Sequence, residues 1–98
     1  MKRRVVLTLQ AVRQFRRLAA RDQSLIRRAM TEQLENDDAT TETRNRFRLR
    51  RPSPFAEFEL RVEALRVFYR IAGDEVQVVM IGRKRGNALV VNGERFIL

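Results

Sequence analysis

Neither cysteine nor histidine occurs among the 98 residues. Without cysteine the chain forms no disulfide and offers no thiolate metal site. Without histidine it lacks the commonest general acid–base group and the commonest metal ligand. No apolar run approaches the roughly 18 residues that a membrane-spanning helix needs. The basic start Met1-Lys2-Arg3-Arg4 leads into an apolar stretch too short for a signal peptide. The expected location is therefore the cytoplasm, with no membrane partner. Internal repeats and low-complexity segments are also absent. Carboxylates are scarce relative to cations: 12 Asp and Glu against 21 Lys and Arg leave a net charge of +9. A fold does not need that excess, since self-repulsion makes it a small cost. It implies an anionic partner, either nucleic acid or an acidic protein segment. All but two of the cations are arginine, which favours bidentate recognition of phosphate or carboxylate.

What is present suffices for one domain, residues 1–98, with an apolar content of 44% and a modest core. The stretch from Glu57 to Ile81 organises it. Glu-Phe-Glu-Leu-Arg-Val, a turn, Leu-Arg-Val-Phe-Tyr-Arg-Ile, a turn and Val-Gln-Val-Val-Met-Ile-Gly read as three strands of an antiparallel meander. Strand side chains alternate between faces. Phe58, Leu60 and Val62 share one face with Val67, Tyr69 and Ile71. Glu57, Glu59 and Arg61 share the other with Arg66, Phe68 and Arg70. One face is oily, and the opposite face collects carboxylates and guanidiniums. Chemistry is expected on that second face.

Ahead of the meander, Val5-Val6-Leu7 reads as a buried strand. Thr8 is a suitable cap for an amphipathic helix from Leu9 to about Ala20, with Val12, Phe15, Leu18 and Ala19 on its apolar side. Asp22 is a suitable cap for a second helix. Its stripe is Leu25, Ile26, Ala29, Met30 and Leu34, and it ends at Asn36-Asp37-Asp38. In the segment 44–51, Arg44, Arg46, Arg48 and Arg50 alternate with other residues, so an extended chain sets them in a row along one edge. Pro52-Ser53-Pro54 breaks regular structure. Gly73-Asp74 suits a hairpin turn, and Asn92-Gly93 signals a type I′ turn closing a last hairpin. The predicted order is β-α-α-β-β-β plus a C-terminal β-hairpin. The fold class is α+β in two layers, an N-terminal strand and helical hairpin packed on a mostly antiparallel sheet.

Glu59-Leu60-Arg61-Val62, then Leu65-Arg66-Val67-Phe68-Tyr69-Arg70-Ile71, then Val78-Val79-Met80-Ile81-Gly82-Arg83-Lys84-Arg85 carry a family resemblance. In this order they resemble the RelE/ParE toxins of bacterial type II toxin–antitoxin modules, over roughly residues 4–86. The tail Asn87–Leu98 looks like a variant ending. The resemblance implies a RelE-like fold and one of two activities. RelE-type relatives are ribosome-dependent mRNA endonucleases, and ParE-type relatives poison DNA gyrase. Both are neutralised by a cognate antitoxin. It also implies that Arg66 faces the scissile phosphate, that Lys84, or its neighbours Arg83 and Arg85, is the second basic residue after the glycine, and that Arg61 is a further supporting cation. Departures from the pattern are Glu57 and Glu59 where RelE has lysines, Val90 near where it has a tyrosine, and no counterpart to the histidine of the YoeB-like branch.

Metal-free RNA cleavage needs cations at the phosphate and groups that move protons. Preorganised electrostatics is usually the largest contribution, roughly 3–4 kcal/mol per donor. The candidate catalytic set is Arg66, Lys84, Arg61, Glu57 and Glu59, either carboxylate serving as base. The candidate RNA-binding set is Arg44, Arg46, Arg48, Arg50, Arg83 and Arg85. No cofactor or metal is expected, and a small-molecule ligand is not. Plainer readings stand beside these. Glu57 and Glu59 suit cross-strand ion pairs with Arg66 and Arg70, worth about 0.2–1 kcal/mol each. The arginine row suits phosphates, an acidic antitoxin or a solvated edge. Phe68 suits base stacking or cover by the terminal hairpin, and Tyr69 suits core packing. Three functions remain open: an mRNA interferase at the ribosome, a gyrase-binding inhibitor, and a basic RNA-binding module without toxicity.

Overall fold

The computed structural model describes residues 2–50, 55–91 and 93–97. Strand β1 (Arg4–Leu7) runs into helix α1 (Leu9–Arg16), and helix α2 (Ala20–Ala29) widens into a π-helical turn, Met30–Glu35. The strands β2 (Arg46–Arg48), β3 (Phe58–Val62), β4 (Leu65–Ala72), β5 (Glu75–Arg85), β6 (Ala88–Val91) and β7 (Glu94–Ile97) follow. They form one seven-stranded sheet in the order β2-β3-β4-β5-β6-β7, with β1 added parallel to β5. The α+β class, the antiparallel meander and the terminal hairpin agree with the sequence pattern. The breaker Pro52-Ser53-Pro54, the last arginine of the 44–51 arm and Asn92 of the expected type I′ turn lie outside the described residues. The adjoining Gly93 has the positive φ, 83°, that such a turn requires.

The two helices form their layer for local reasons. Thr8 caps α1, its hydroxyl accepting the Ala11 N–H at 3.3 Å. Helix α1 ends at Arg16, short of the expected Ala20, because one side chain closes it. The Gln23 amide donates to the carbonyls of Phe15, Arg16 and Leu18 at 3.1–3.3 Å. Helix α2 begins at Ala20, two residues before the expected cap. Asp22 sits in its first turn instead, where the helix dipole favours a carboxylate. Ile26, Met30 and Leu34 are the buried stripe of α2 and its π-helical turn. They meet Phe58, Leu60, Val67 and Tyr69 on the inner face of the sheet. Tyr69 is fully buried, stacked on Phe58 at 5.2 Å, and its hydroxyl donates to the Ala39 carbonyl at 2.7 Å. Burial raises its phenol pKa well above the ordinary value.

Strand β5 carries two neighbours on one edge. Its first half pairs with β1, from Arg4 against Glu75 to Leu7 against Val78. Its last residues pair with β6, Arg83 to Arg85 against Ala88 to Val90. Between these the edge is covered by α1, and the buried Gln14 accepts the Ile81 N–H through Oε1 at 2.7 Å. On the opposite edge, β5 and β4 slip by one residue, so that Phe68 faces Met80 but Tyr69 faces Val78. Val79 is the extra residue of this bulge. The slip reverses the alternation of β5. Val76, Val78 and Ile81 join the inner core, whereas Val79 and Met80 pack with a second apolar cluster of Ala56, Phe68, Leu89 and Val91. The outer face is therefore not purely polar, contrary to the simple alternation.

Two predictions follow from these joints. Gln14→Ala removes the side chain that meets the Ile81 amide, and a buried unsatisfied donor costs about 1–3 kcal/mol. Urea unfolding should show the unfolding free energy fall by that amount, through a lower midpoint with the m-value unchanged. The second concerns acid. Asp38 accepts from the Thr40 hydroxyl at 2.7 Å, from the Thr40 N–H at 3.0 Å and from Arg3 at 3.1 Å. The Thr40 hydrogen bonds hold its carboxyl far below the ordinary 3.8. A depressed carboxyl stabilises the fold above its unfolded pKa and loses that contribution as pH falls through the folded value. Thermal midpoints should thus drop below about pH 4, and Asp38→Asn should drop less over the same range.

Candidate functional site

The candidate site lies on the outer face where β3, β4 and β5 meet the β3–β4 turn. Arg66 stands opposite Arg61 in the β3–β4 register and opposite Gly82 in the β4–β5 register. Only 8% of Arg66 is exposed. Its Nη1 donates to the carbonyls of Glu63 at 2.7 Å and Leu65 at 2.8 Å, and its Nε lies 3.6 Å from Glu59 Oε2. The Glu63 carbonyl is aimed by an uncommon backbone: Glu63 has φ 57°, the left-handed region that a tight turn demands. Burial lowers the Arg66 pKa, and the Glu59 carboxylate opposes that shift. A guanidinium remains charged through such shifts at neutral pH. The result is a cation held by carbonyls and a carboxylate at fixed geometry.

Glu59 bridges two guanidiniums. Its Oε2 accepts Arg61 Nε at 3.1 Å besides facing Arg66. Lys84 is brought to the same turn through its backbone, whose N–H donates to the Ala64 carbonyl at 2.8 Å. Because of the bulge, Gly82 and Lys84 share the face of Arg66. Gly82 is needed there, since a Cβ would lie 2.8 Å from Val91 Cγ2 and 3.0 Å from the Val90 carbonyl oxygen. So Arg66, Arg61, Glu59 and Lys84 gather at one end of the sheet.

Other predicted residues go elsewhere. Glu57 is four positions from Arg61 along β3, about 13 Å at strand rise. Its Oε1 accepts the Ile71 N–H at 2.9 Å, so it serves a strand end and not the Arg66 cluster. Arg70 pairs with Gln77 at 2.8 Å and not with Glu57 or Glu59. The basic tripeptide is split. Arg83 turns to the helical side and pairs with Asp22, and with Arg85 and Arg17 it lines a cleft of about 370 Å³ beneath the end of α1. The arginine row is split as well. Arg46 is 1% exposed, its guanidinium donating to the Thr41 carbonyl at 2.7 Å, the Gln33 carbonyl at 2.5 Å and Asp37 at 3.1 Å. It plugs the end of the π-helical turn and is not presented to a phosphate. Arg48 lies over the Phe58 ring at 4.6 Å. Arg44 and Arg50 remain exposed.

Phe68 is buried against Leu89 and Val91, so cover by the terminal hairpin is what the structure shows for it. Sequence reasoning passed over Phe47. It lies in β2 with the Arg61 guanidinium 4.5 Å from its ring centre. The signal was available, because Phe47 alternates with the arginines of the 44–51 row. Also overlooked was an apolar groove of about 780 Å³ on the outer face, floored by Phe68, Val79, Met80 and Leu89 and rimmed by Leu9, two-thirds exposed. Among the described residues no cluster of three or more Asp or Glu side chains is placed to hold a metal. Nor is any described helix long and apolar enough to cross a membrane.

No protein-family model matches the chain, and no curated protein matches it in sequence.

The two kinds of arginine separate in experiment. Arg46→Met keeps apolar bulk but strands two carbonyls, and a hydrogen bond to a charged group is worth about 1.5–3 kcal/mol. Its unfolding midpoint should fall accordingly while the folded fraction keeps wild-type retention on a polyanionic heparin column. Arg44→Gln and Arg50→Gln should leave stability within about 0.5 kcal/mol and lower the salt needed to elute the protein from a polyanionic heparin column.

Proposed function

We propose that the protein is the toxin of a type II toxin–antitoxin module, a RelE-like member of the RelE/ParE superfamily. In this reading it is a metal-independent mRNA endonuclease that acts at the ribosome and stops translation. The observation that carries the reading is Arg66, a guanidinium preset by two carbonyls and Glu59 on a face that also holds Arg61 and Lys84. A cation fixed before the substrate arrives needs no reorganisation when charge builds on a crowded phosphate, which is what phosphoryl chemistry rewards. Arg66 contacts the scissile phosphate, and Arg61 and Lys84 neutralise its flanks. Glu59, beside Arg61 and Arg66, takes the proton from the 2′-hydroxyl. The motif order Glu59–Ile71, then Val78–Arg85, supports the same family. The acidic antitoxin that this reading requires has a fitting seat in the groove over Phe68 and Met80, its apolar residues against the floor and its carboxylates against Arg70.

A second reading is a ParE-like inhibitor that binds gyrase without catalysis. It is favoured by the poverty of proton-transfer groups. Glu59 is tied to two guanidiniums, Tyr69 is buried and Val90 occupies the region where RelE carries a tyrosine. A basic RNA-binding module without toxicity is the third.

Purified protein added to translating ribosomes should cut the mRNA, as read by primer extension. Arg66→Lys keeps the charge but not the fork, and should slow cleavage about 10²–10³-fold, the usual loss for one preorganised donor. Circular dichroism must show the variant folded. Intact mRNA alongside inhibited gyrase supercoiling would replace this function with the second one.

A further inference from the structure

Phe47 lies against Arg61 beside Arg66, and the phosphate chemistry gives that ring no role. The Arg61 Cζ lies 4.5 Å from the Phe47 ring centre. Its Nε donates to Glu59 Oε2 at 3.1 Å, a bond directed along the edge of the guanidinium. Nearly half of the Arg61 side chain, 48%, is exposed. The guanidinium carbon sits over the Phe47 ring while much of the side chain stays open to solvent. The backbone is secured as well: the Arg61 N–H donates to the Asn45 carbonyl at 2.7 Å, and Phe47 is registered against Glu59. Arg61 and Arg66 are directly opposed across β3 and β4, which sets their Cβ atoms about 5 Å apart.

We infer that the Phe47–Arg61 stack is a base platform. It takes one unpaired nucleobase of single-stranded RNA while Arg66 holds the adjoining phosphate. Guanidinium planes and aromatic rings are the surfaces on which unpaired bases stack, and the contact tolerates any base because every base has a π-face. The phenylalanine beneath strengthens the plate through cation–π attraction and the Glu59 bond stops it rotating. Phe68 cannot do this work because Leu89 and Val91 cover it. The platform makes the ligand class single-stranded, since in a duplex both faces of each base are already occupied. The inference rests on the reading that this face binds RNA, and goes beyond it by assigning Phe47 and a base-binding role to Arg61.

The test uses the full chain and two short RNA strands of equal length and charge, one carrying 2-aminopurine among ordinary bases and one abasic. Wild-type protein should quench 2-aminopurine fluorescence and bind the base-containing strand about tenfold more tightly, within the range for one stacked base. Arg61→Lys keeps the charge and removes the plane. It should lose both quenching and preference while the dependence of affinity on salt, set by charge count, stays the same. Phe47→Leu keeps apolar cover and should lose part of both, which supplies the test should Arg61→Lys fail to fold. A folded Arg61→Lys or Phe47→Leu protein that retains full quenching and preference overturns the platform. Wild type binding both strands equally overturns it too, yet leaves the phosphate role of Arg66 standing. Wild type binding neither strand removes the RNA reading together with the platform.

Discussion

The amide of Ile81 lies where two neighbouring strands part, and the side chain of Gln14 is what satisfies it. Strand β5 must serve β1 on the first half of one edge and β6 on the end of that edge. A buried N–H cannot be left between them, because its desolvation would go uncompensated. Helix α1 solves this by lying across the gap and supplying a carbonyl oxygen from a side chain. That contact, the Thr8 N–H bond to the Val78 carbonyl at 2.9 Å and the apolar core together seat the helical layer on the sheet. Once the helices occupy the inner face, only the outer face is open at the β3–β4 turn. The cationic site exists because the inner face is closed.

The phase of β5 matters equally. A regular strand carrying Val76 and Val78 inward would carry Lys84 inward too, and Arg83 and Arg85 outward. The bulge at Val79 inverts this, so one lysine faces Arg66 and two arginines line the opposite cleft. Nothing in the run Val-Val-Met-Ile announces the slip, since each residue is apolar enough for either face. That is why the sequence could read the tripeptide as basic without saying which member joins the site. The close approach of β6 is likewise a matter of one absent Cβ, at Gly82.

Much of the rest was legible because the physics is local. Alternation assigned the faces of β3 and β4 correctly, and Thr8 and Gly73 marked a helix start and a turn by their own backbone chemistry. Long-range decisions were not legible. Arg46 shares its strand pattern with Arg44, Arg48 and Arg50, and only the packing of the π-helical turn against β2 buries it. Its burial is tolerable because three oxygens surround it, whereas an unpaired guanidinium there would be prohibitive. Asp22 looked like a cap since its neighbours in sequence suggest one, yet its partner is sixty residues away in β5. Period-2 reasoning reports which side chains share a face, and the tertiary fold decides which face meets solvent.

The arginines therefore divide by what they cost and when. Exposed ones such as Arg44 and Arg50 contribute a long-range field, which draws polyanions but is screened within about 8–10 Å at ordinary salt. Arg66 and Arg61 are different, because folding has already removed their freedom. Two carbonyls, a carboxylate and a phenylalanine ring hold their planes, so a ligand need not spend binding energy to order them. A single glutamate, Glu59, between both planes keeps two like charges at adjacent strand positions from repelling each other apart. That carboxylate makes the cluster tolerable in the free protein, lying 3.1 Å from Arg61 Nε and 3.6 Å from Arg66 Nε.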